Sequence, residues 1–254
     1  MSEGSDVVEA RGVYDAPRLS VVIPYRDEAG SLALLYAELV SVLDSLPFES
    51  EILFVDDASR DEGPDIVRML ADADPRLRLL ALSPHSGQSA ALEAGFRAAR
   101  GEIVATLDAD LQNDPADLPM LLDGLRVADC VCGVRLPRED HILKRLASRF
   151  ANAVRRRVLG DGISDIGCSL RVMRKADLDR IKLFHGAHRF LPSLLRLEGA
   201  RLLERPVRHR ARRYGRSKYG ILRRLLAVGV DLLAVIWLAR RIDRYEVKEL
   251  SRRV

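Results

Sequence analysis

Four short apolar runs, each breaking off into polar side chains, most constrain how this chain can fold: residues 19–24 (LSVVIP), 50–55 (SEILFV), 76–83 (RLRLLALS) and 103–107 (IVATL). Runs of this length, rich in Val, Ile and Leu, suit strands buried on both faces. Between them lie stretches with helical signals, over 31–46, 63–72 and 88–100, the last amphipathic through Ala91, Leu92, Gly95, Phe96 and Ala99. Strand and helix alternating in this way imply parallel strands joined by right-handed crossovers. The expected fold is α/β, a mostly parallel central sheet with helices on both faces. A chain of 254 residues is long enough for one such domain with a sizeable core, and short for two.

In a sheet of this kind ligands bind beyond the carboxyl ends of the strands. Those ends carry residues 24–28 (PYRDE), Asp56 and Asp57, residues 83–88 (SPHSGQ) and residues 108–112 (DADLQ). At the last of them, Asp108 and Asp110 stand at i and i+2, with the amide of Gln112 two further on. Once the strand gives way to a turn, these oxygens can converge on one hard cation, and oxygen-only ligation by few protein groups suits Mg²⁺ or Mn²⁺. The simpler alternative is a solvated strand end closed by an Asx turn. The acidic neighbours favour the metal, because carboxylates gathered at one sheet edge repel one another unless a cation or donor groups lie between them. Glu28 and Asp57 can accept hydrogen bonds from a base and from ribose hydroxyls, leaving Asp108 and Asp110 to meet a diphosphate through the metal. Neither G-x-G-x-x-G nor G-K-[ST] occurs, which counts against dinucleotide binding and P-loop chemistry.

The net charge of +4 conceals a polarity. From Arg205 onward, 15 Lys and Arg stand against Asp231, Asp243, Glu246 and Glu249, a surplus of +11 that leaves −7 for the rest of the chain. A basic end on an acidic body points to phosphate-rich partners: a nucleotide, an anionic membrane surface or nucleic acid. Aromatics are sparse among the cations of the basic tail, Tyr214, Tyr219, Trp237 and Tyr245 against 15 Lys and Arg, so nucleic acid is not expected. Cys130, Cys132 and Cys168 make no disulfide framework, and no signal-peptide pattern opens the chain, so a reducing compartment is expected. Cys130 and Cys132 fall on the same face of a strand and read as small core residues.

The blocks VVIPYRDEAGSL, LFVDDASRDE, SGQSAALEAGFRAARGEIVATLDADLQNDP, SDIGCSLRVMRK, HRFLP and RRYGRSKYG together resemble the family 2 glycosyltransferases of GT-A fold. The closer resemblance is to the branch that loads sugars onto polyprenyl phosphates, such as dolichyl-phosphate mannose synthases and bacterial undecaprenyl-phosphate transferases. It runs from about residue 19 to residue 250. The resemblance implies nucleotide contacts at Pro24, Glu28, Val55 and Asp57, and metal and diphosphate contacts at Asp108, Asp110 and Gln112 with the backbone of Ala109. Arg26 and Asp27 depart from the family's P-x-Y-N-E, which leaves UDP and GDP both open.

Downstream, a helix over 115–126, a fifth strand over 129–134 ending near Arg135, and a basic helix over 141–159 are expected. By itself Arg135 is a surface cation; the resemblance makes it a contact to the acceptor phosphate, with Lys144 and Ser148. Asp165 resembles the D-x-G segment beside the donor sugar, and Arg189 in HRFLP matches a basic position for the donor diphosphate. Arg212, Gly215, Ser217 and Lys218 match R-x-x-G-x-S-K, a mobile loop that closes over the diphosphate; a guanidinium and an ammonium on a glycine-containing loop suit that task. The catalytic set implied is Asp110, Arg135, Arg212 and Lys218.

Residues 221–239 read as a helix whose apolar part of about 14 residues covers roughly 21 Å, short of the roughly 30 Å hydrocarbon core. It is expected to lie in the membrane interface with arginines reaching headgroups, the alternative being a core or oligomer helix. Many bacterial members of the family it resembles continue into transmembrane helices after this point, so a chain ending at Val254 is expected to be peripheral, to rely on a membrane-anchoring subunit or homo-oligomer, or to be a piece of a longer protein.

The expected organisation is a disordered lead-in over 1–18, a catalytic domain over 19–220, and an amphipathic helix with a basic tail over 221–254. The expected activity is inverting transfer from a UDP- or GDP-sugar to undecaprenyl or dolichyl phosphate at the cytoplasmic face of the membrane. The rival is a family 2 transferase with a sugar-hydroxyl or protein acceptor, which requires a further acid beside Asp165.

Overall fold

The computed structural model describes residues 17–135, 160, 162–211 and 221–241. Residues 1–16 of the expected lead-in, the helix over 141–159 with Lys144 and Ser148, the loop with Arg212, Gly215, Ser217 and Lys218, and the basic tail past residue 241 lie outside the described residues, whereas Arg18, expected in the lead-in, donates its N–H to Glu49 O at 2.9 Å.

The first four runs are the strands β1 (Leu19–Tyr25), β2 (Ser50–Asp56), β3 (Leu77–Ala81) and β4 (Ile103–Thr106), connected by α1 (Ala29–Leu43), α2 (Gly63–Ala73) and α3 (Gln88–Ala98). β1 pairs in parallel with β2 and with β4, and β2 with β3. β1 and β2 are buried at every position, as runs of apolar residues covered on both faces must be. The two core clusters lie on opposite faces of the sheet. One gathers Leu32, Leu35 and Leu39 of α1 with Val67 of α2, and the other gathers Leu92 and Phe96 of α3 with Phe190, Leu191 and Leu195.

The expected helix over 115–126 is shorter and broken. Pro115–Asp117 forms a 3₁₀ turn capped by Asp114, whose side chain accepts from the Ala116 N–H, and α4 covers only Leu118–Gly124. Pro119 sits in the first turn of α4, where its missing N–H costs nothing.

The sheet is not parallel throughout. Among the described residues the next strand after β5 (Cys130–Arg135) is β6 (Arg171–Arg174), which enters the sheet antiparallel between β4 and β5. After a single turn α5 (Lys175–Leu178), a 3₁₀ turn Ala187–Phe190 and α6 (Leu191–Leu197), the edge strand β7 (Leu202–Val207) pairs in parallel with β5. The sheet order is β3-β2-β1-β4-β6-β5-β7, mostly parallel with one reversed strand. Cys130 and Cys132 are buried on β5, with Sγ atoms 3.7 Å apart. α7 (Ile221–Ala239) lies over the Ala187–Phe190 turn. Among the described residues no helix is long and apolar enough to cross a membrane.

Candidate active site

The exits of β1, β2 and β4 each contain a non-glycine residue with positive φ: Asp27 at 50°, Ala58 at 56° and Leu111 at 61°. Such conformations cost about 1–3 kcal/mol each and persist where the surroundings over-determine them. Hydrogen bonds between the loops do so here. Asp27 Oδ1 accepts the Arg60 N–H at 2.7 Å, Ser59 Oγ accepts the Asp27 N–H at 2.9 Å, and Asp61 Oδ2 accepts the Ala29 N–H at 2.8 Å. Asp57, which is buried, accepts the N–H groups of Ser86 at 2.7 Å and Gly87 at 2.9 Å and pairs with His85 Nδ1 at 2.7 Å. Backbone donors thus separate the acidic strand ends, and Asp57 fixes the loop that starts α3.

That loop aims Gln88 at Asp108. Gln88 Nε2 donates to Asp108 Oδ1 at 2.8 Å. Burial first, and then the charge of Asp110, push the Asp108 carboxyl up from the usual carboxylate range, against the opposing pull of a Ser169 hydrogen bond and of Arg171 and Arg135. Asp110 Oδ1 accepts the Gln112 N–H at 3.1 Å, so the Asx turn is present.

The same turn is clamped to the segment after β7. Gln112 O accepts the Arg210 N–H at 2.8 Å, and Asn113 bridges His209. Arg210 reaches Glu38 of α1 at 2.7 Å and Asp114 at 3.0 Å, while Arg208 reaches Asp114 at 3.2 Å and Asp117 at 2.9 Å. The basic segment that leads to residues 212–220 is therefore anchored beside Asp110.

Asp108 opens into a cleft of about 110 Å³ whose wall includes Pro24, Gln88, Arg171, His188 and Arg189. Arg171 is 4% exposed. Its Nη1 donates to His188 O at 2.9 Å and its Nη2 to Ile166 O at 2.7 Å, while Nε is buried with no hydrogen-bond partner among the described residues. His188 Nδ1 lies 2.9 Å from Ser89 Oγ, which links the wall to α3. Arg189 Nη1 lies 3.4 Å from Asp231 of α7.

At the end of β5, Arg135 grips Asp165 from two nitrogens, Nε at 2.7 Å and Nη2 at 2.7 Å. Burial raises the Asp165 carboxyl, but the hydrogen bonds and charge of Arg135 with the Gly167 N–H outweigh it, so it sits below the usual range. Glu204 of β7 accepts the Ser164 N–H at 2.7 Å and the Asp165 N–H at 3.3 Å, holding the segment from the other side.

Of the residues singled out from sequence, Pro24, Asp108 and Arg189 share the cleft wall. Ala109 is buried behind it, and Asp110 and Gln112 form the adjoining turn. Glu28 and Asp57 stand at the neighbouring strand exits. The Val55 side chain is buried in the core with Leu92 and Phe96, so a ligand can meet it only through its backbone. Arg135 and Asp165 face each other. The roles of Gln88, Ser89, Ser169, Arg171 and His188 escaped the sequence. Two signals bear on them, the polar 83–88 segment before Ser89 and an arginine inside the apolar run 170–173.

A sheet of this order, with an acidic strand exit opening into a cleft lined by arginine, histidine and amide side chains, is that of GT-A glycosyltransferases. Residues 20–182 match the family model for Glycosyl transferase family 2, and the chain belongs to that family. Over 221 residues it is 37% identical to an undecaprenyl-phosphate 4-deoxy-4-formamido-L-arabinose transferase from Edwardsiella ictaluri, covering 86% of this chain and 67% of that one. Over 228 residues it is 36% identical to a dodecaprenyl-phosphate galacturonate synthase from Rhizobium johnstonii, covering 87% and 67%. Among solved structures it is similar to glucosyl-3-phosphoglycerate synthase from Mycobacterium tuberculosis in complex with Mn²⁺, UDP and phosphoglyceric acid, with a TM-score of 0.66 at 19% identity over 90% of this chain and 80% of that one. It is also similar to a mannosyltransferase from Pyrobaculum calidifontis in complex with GDP-Man and Mn²⁺, with a TM-score of 0.65 at 22% identity over 92% and 67%. The likeness to these two structures speaks to the fold alone.

Proposed function

We propose that this glycosyltransferase moves a sugar, with inversion, from a UDP- or GDP-sugar to a polyprenyl phosphate, undecaprenyl or dolichyl, at the cytoplasmic face of a membrane. Residues 19–220 form the catalytic unit, and 221–254 direct it to the lipid surface. Relatives named for undecaprenyl and dodecaprenyl phosphate acceptors, similar over most of the chain, support the acceptor class.

The observation that carries the choice of acceptor is the Arg135–Asp165 pair. A hydroxyl acceptor must lose a proton to a base, and a good base has a pKa near the working pH. Asp165 is held ionised below the usual carboxylate range, and the second acid nearby, Glu204, is engaged by Ser164 and Asp165 backbone groups. A lipid phosphate is already anionic and needs no base. Its oxygen attacks the anomeric carbon, the bond from that carbon to the nucleoside diphosphate breaks, and the electron pair leaves with the diphosphate.

The residues at the β4 exit fit a divalent cation: Asp108, Asp110 and Gln112 offer oxygen donors only, and the upward push on Asp108 by its own burial and by Asp110 marks negative charge that a cation offsets. When bound, Mg²⁺ or Mn²⁺ supplies charge stabilisation for the leaving diphosphate. Asp108 and Asp110 with the Gln112 amide would hold it, Gln88 fixes the Asp108 carboxylate, and Arg189 with Arg212 and Lys218 take the remaining diphosphate charge. Arg135, with Lys144 and Ser148, receives the acceptor phosphate.

Incubation with radiolabelled UDP- and GDP-sugars, Mg²⁺ or Mn²⁺ and undecaprenyl phosphate, followed by extraction into organic solvent, tests the reading. Label entering the organic phase and vanishing with chelator or Asp110→Asn is expected. Label transferred only to a sugar hydroxyl or a protein, or a rate indifferent to both treatments, rejects it.

A further inference from the structure

The helix α7 has two distinct faces. Its inner face carries Val235, fully buried, and Asp231, with Leu232 and Leu238 packed on the same core as Leu183, Ala187 and Phe190. Asp231 is the one acid between Ile221 and Ala239, and its side chain is 15% exposed. A carboxylate on the buried face of an apolar helix is costly unless a cation meets it. Arg189 Nη1 meets it at 3.4 Å, and Arg189 also lines the Asp108 cleft. Gly186, at φ +89°, immediately precedes the Ala187–Phe190 turn, and a Cβ there would collide with the Asp231 carboxylate. Bare backbone at this position leaves room for the Asp231 carboxylate beside the turn that carries Arg189.

We propose that Asp231 is a positioning residue for the donor site: from α7 it holds the Arg189 guanidinium at the cleft wall. This rests on reading the cleft as the donor diphosphate site. An anchor for the helix alone would not need a charge opposite Arg189. A positioning carboxylate does, because each contact that holds an arginine side chain in one rotamer lowers the ordering cost that binding must meet.

The test is calorimetric titration of the full chain with UDP and with GDP, each with Mn²⁺, for the wild type, Asp231→Asn, Arg189→Met and the double variant. Each single variant is expected to bind the preferred nucleotide about tenfold more weakly, within the range of ordinary site-to-site couplings. The double variant is expected to bind no more weakly than Arg189→Met alone, because both changes remove one interaction. Asp231→Glu, which keeps the charge, is expected to recover part of the loss. Val235→Ala separates positioning from mere support of the helix: it loosens α7 while leaving the pair, and is expected to lower the melting temperature with little change in nucleotide affinity. Wild-type affinity in Asp231→Asn, additive losses in the double variant, or affinity that follows melting temperature across all variants overturns the positioning role while leaving the donor site intact. A wild type that binds neither nucleotide refutes the donor-site reading itself, and the positioning role falls with it.

Discussion

Gln88 Nε2 hydrogen-bonds Asp108 Oδ1 at 2.8 Å, so the first turn of α3 grips the carboxylate that ends β4. If Asp108 holds a cation as proposed, Gln88 stands one step removed from it, and donors so placed commonly matter 10- to 100-fold for affinity or activity. Gln88→Ala is therefore expected to lower activity about 10- to 100-fold and to raise the concentration of Mn²⁺ needed for half-maximal rate. Gln88→Glu should be worse, because it replaces the donor with a third negative charge. Activity against Mn²⁺ concentration for both variants checks the order.

Asp108→Asn should separate stability from function. With its carboxyl pushed up in the fold, Asp108 favours the protonated form when folded, so its contribution is full below the usual carboxylate value, is lost as pH rises past that value through the raised folded one, and leaves an uncompensated charge at neutral pH. Asparagine keeps an oxygen for Gln88 and removes the charge. In chelator at neutral pH the variant is expected to melt above the wild type, by a few degrees on the scale of about 1 kcal/mol, while losing activity. A variant that melts lower would contradict the charge argument.

Asp110→Asn discriminates the two meanings of its turn. An asparagine Oδ1 can still accept the Gln112 N–H, so the Asx turn and the melting temperature should survive. If the carboxylate serves only the turn, activity survives as well. A loss of about a hundredfold or more in rate is the outcome expected of a group that meets a cation.

Acid stability should be governed by a different set of carboxylates. Arg201 holds Asp129 through Nε at 2.9 Å and its own N–H at 2.9 Å, joining the starts of β5 and β7 and keeping Asp129 well below the usual range; Asp165 is lowered too, by Arg135 against its own burial. Folded values below the unfolded value of about 3.9 give stabilisation that is complete above that pH and disappears as pH falls through the depressed values. With the Asp108 contribution removed, as in Asp108→Asn, urea midpoints should be level from pH 7 to about 5 and fall below about 4. Asp129→Asn should lower the midpoint at pH 7 and flatten the acid limb.

The parts of this protein that were legible in sequence are those encoded locally. Strands β1 to β4 announce themselves as apolar runs, and Asp108, Asp110 and Gln112 follow the last of them directly. Less legible was β6, four residues with Arg171 and Arg174 at its ends, whose charge is satisfied by the carbonyls of Ile166, His188 and Leu125. No window of sequence reveals such partners. The Ser89–His188 contact joins residues 99 apart, and Arg210 reaches Glu38 across 172. Asp57 shows the converse: its place at a strand exit was plain, whereas its grip on the Ser86 and Gly87 N–H groups depends on how the loop folds back.

The outer face of α7 makes the membrane reading testable with the protein's own fluorescence. Val230, Leu233 and Trp237, all more than 60% exposed, repeat at helical spacing on that face, and the Arg241 guanidinium stacks 5.5 Å from the Trp237 ring. A single stripe of this kind, with Arg240 and Arg241 at its end, matches an interface of acyl chains below anionic headgroups. Trp237 is the chain's one tryptophan, so its emission reports this face alone. Vesicles rich in phosphatidylglycerol are expected to shift the emission to the blue, phosphatidylcholine vesicles to shift it less, and added salt to weaken the effect by screening. Val230→Asp and Leu233→Asp should each reduce the shift while leaving nucleotide binding intact, because both residues lie on the face opposite Asp231 and Val235. Emission unchanged by anionic vesicles would show that this stripe does not enter a bilayer.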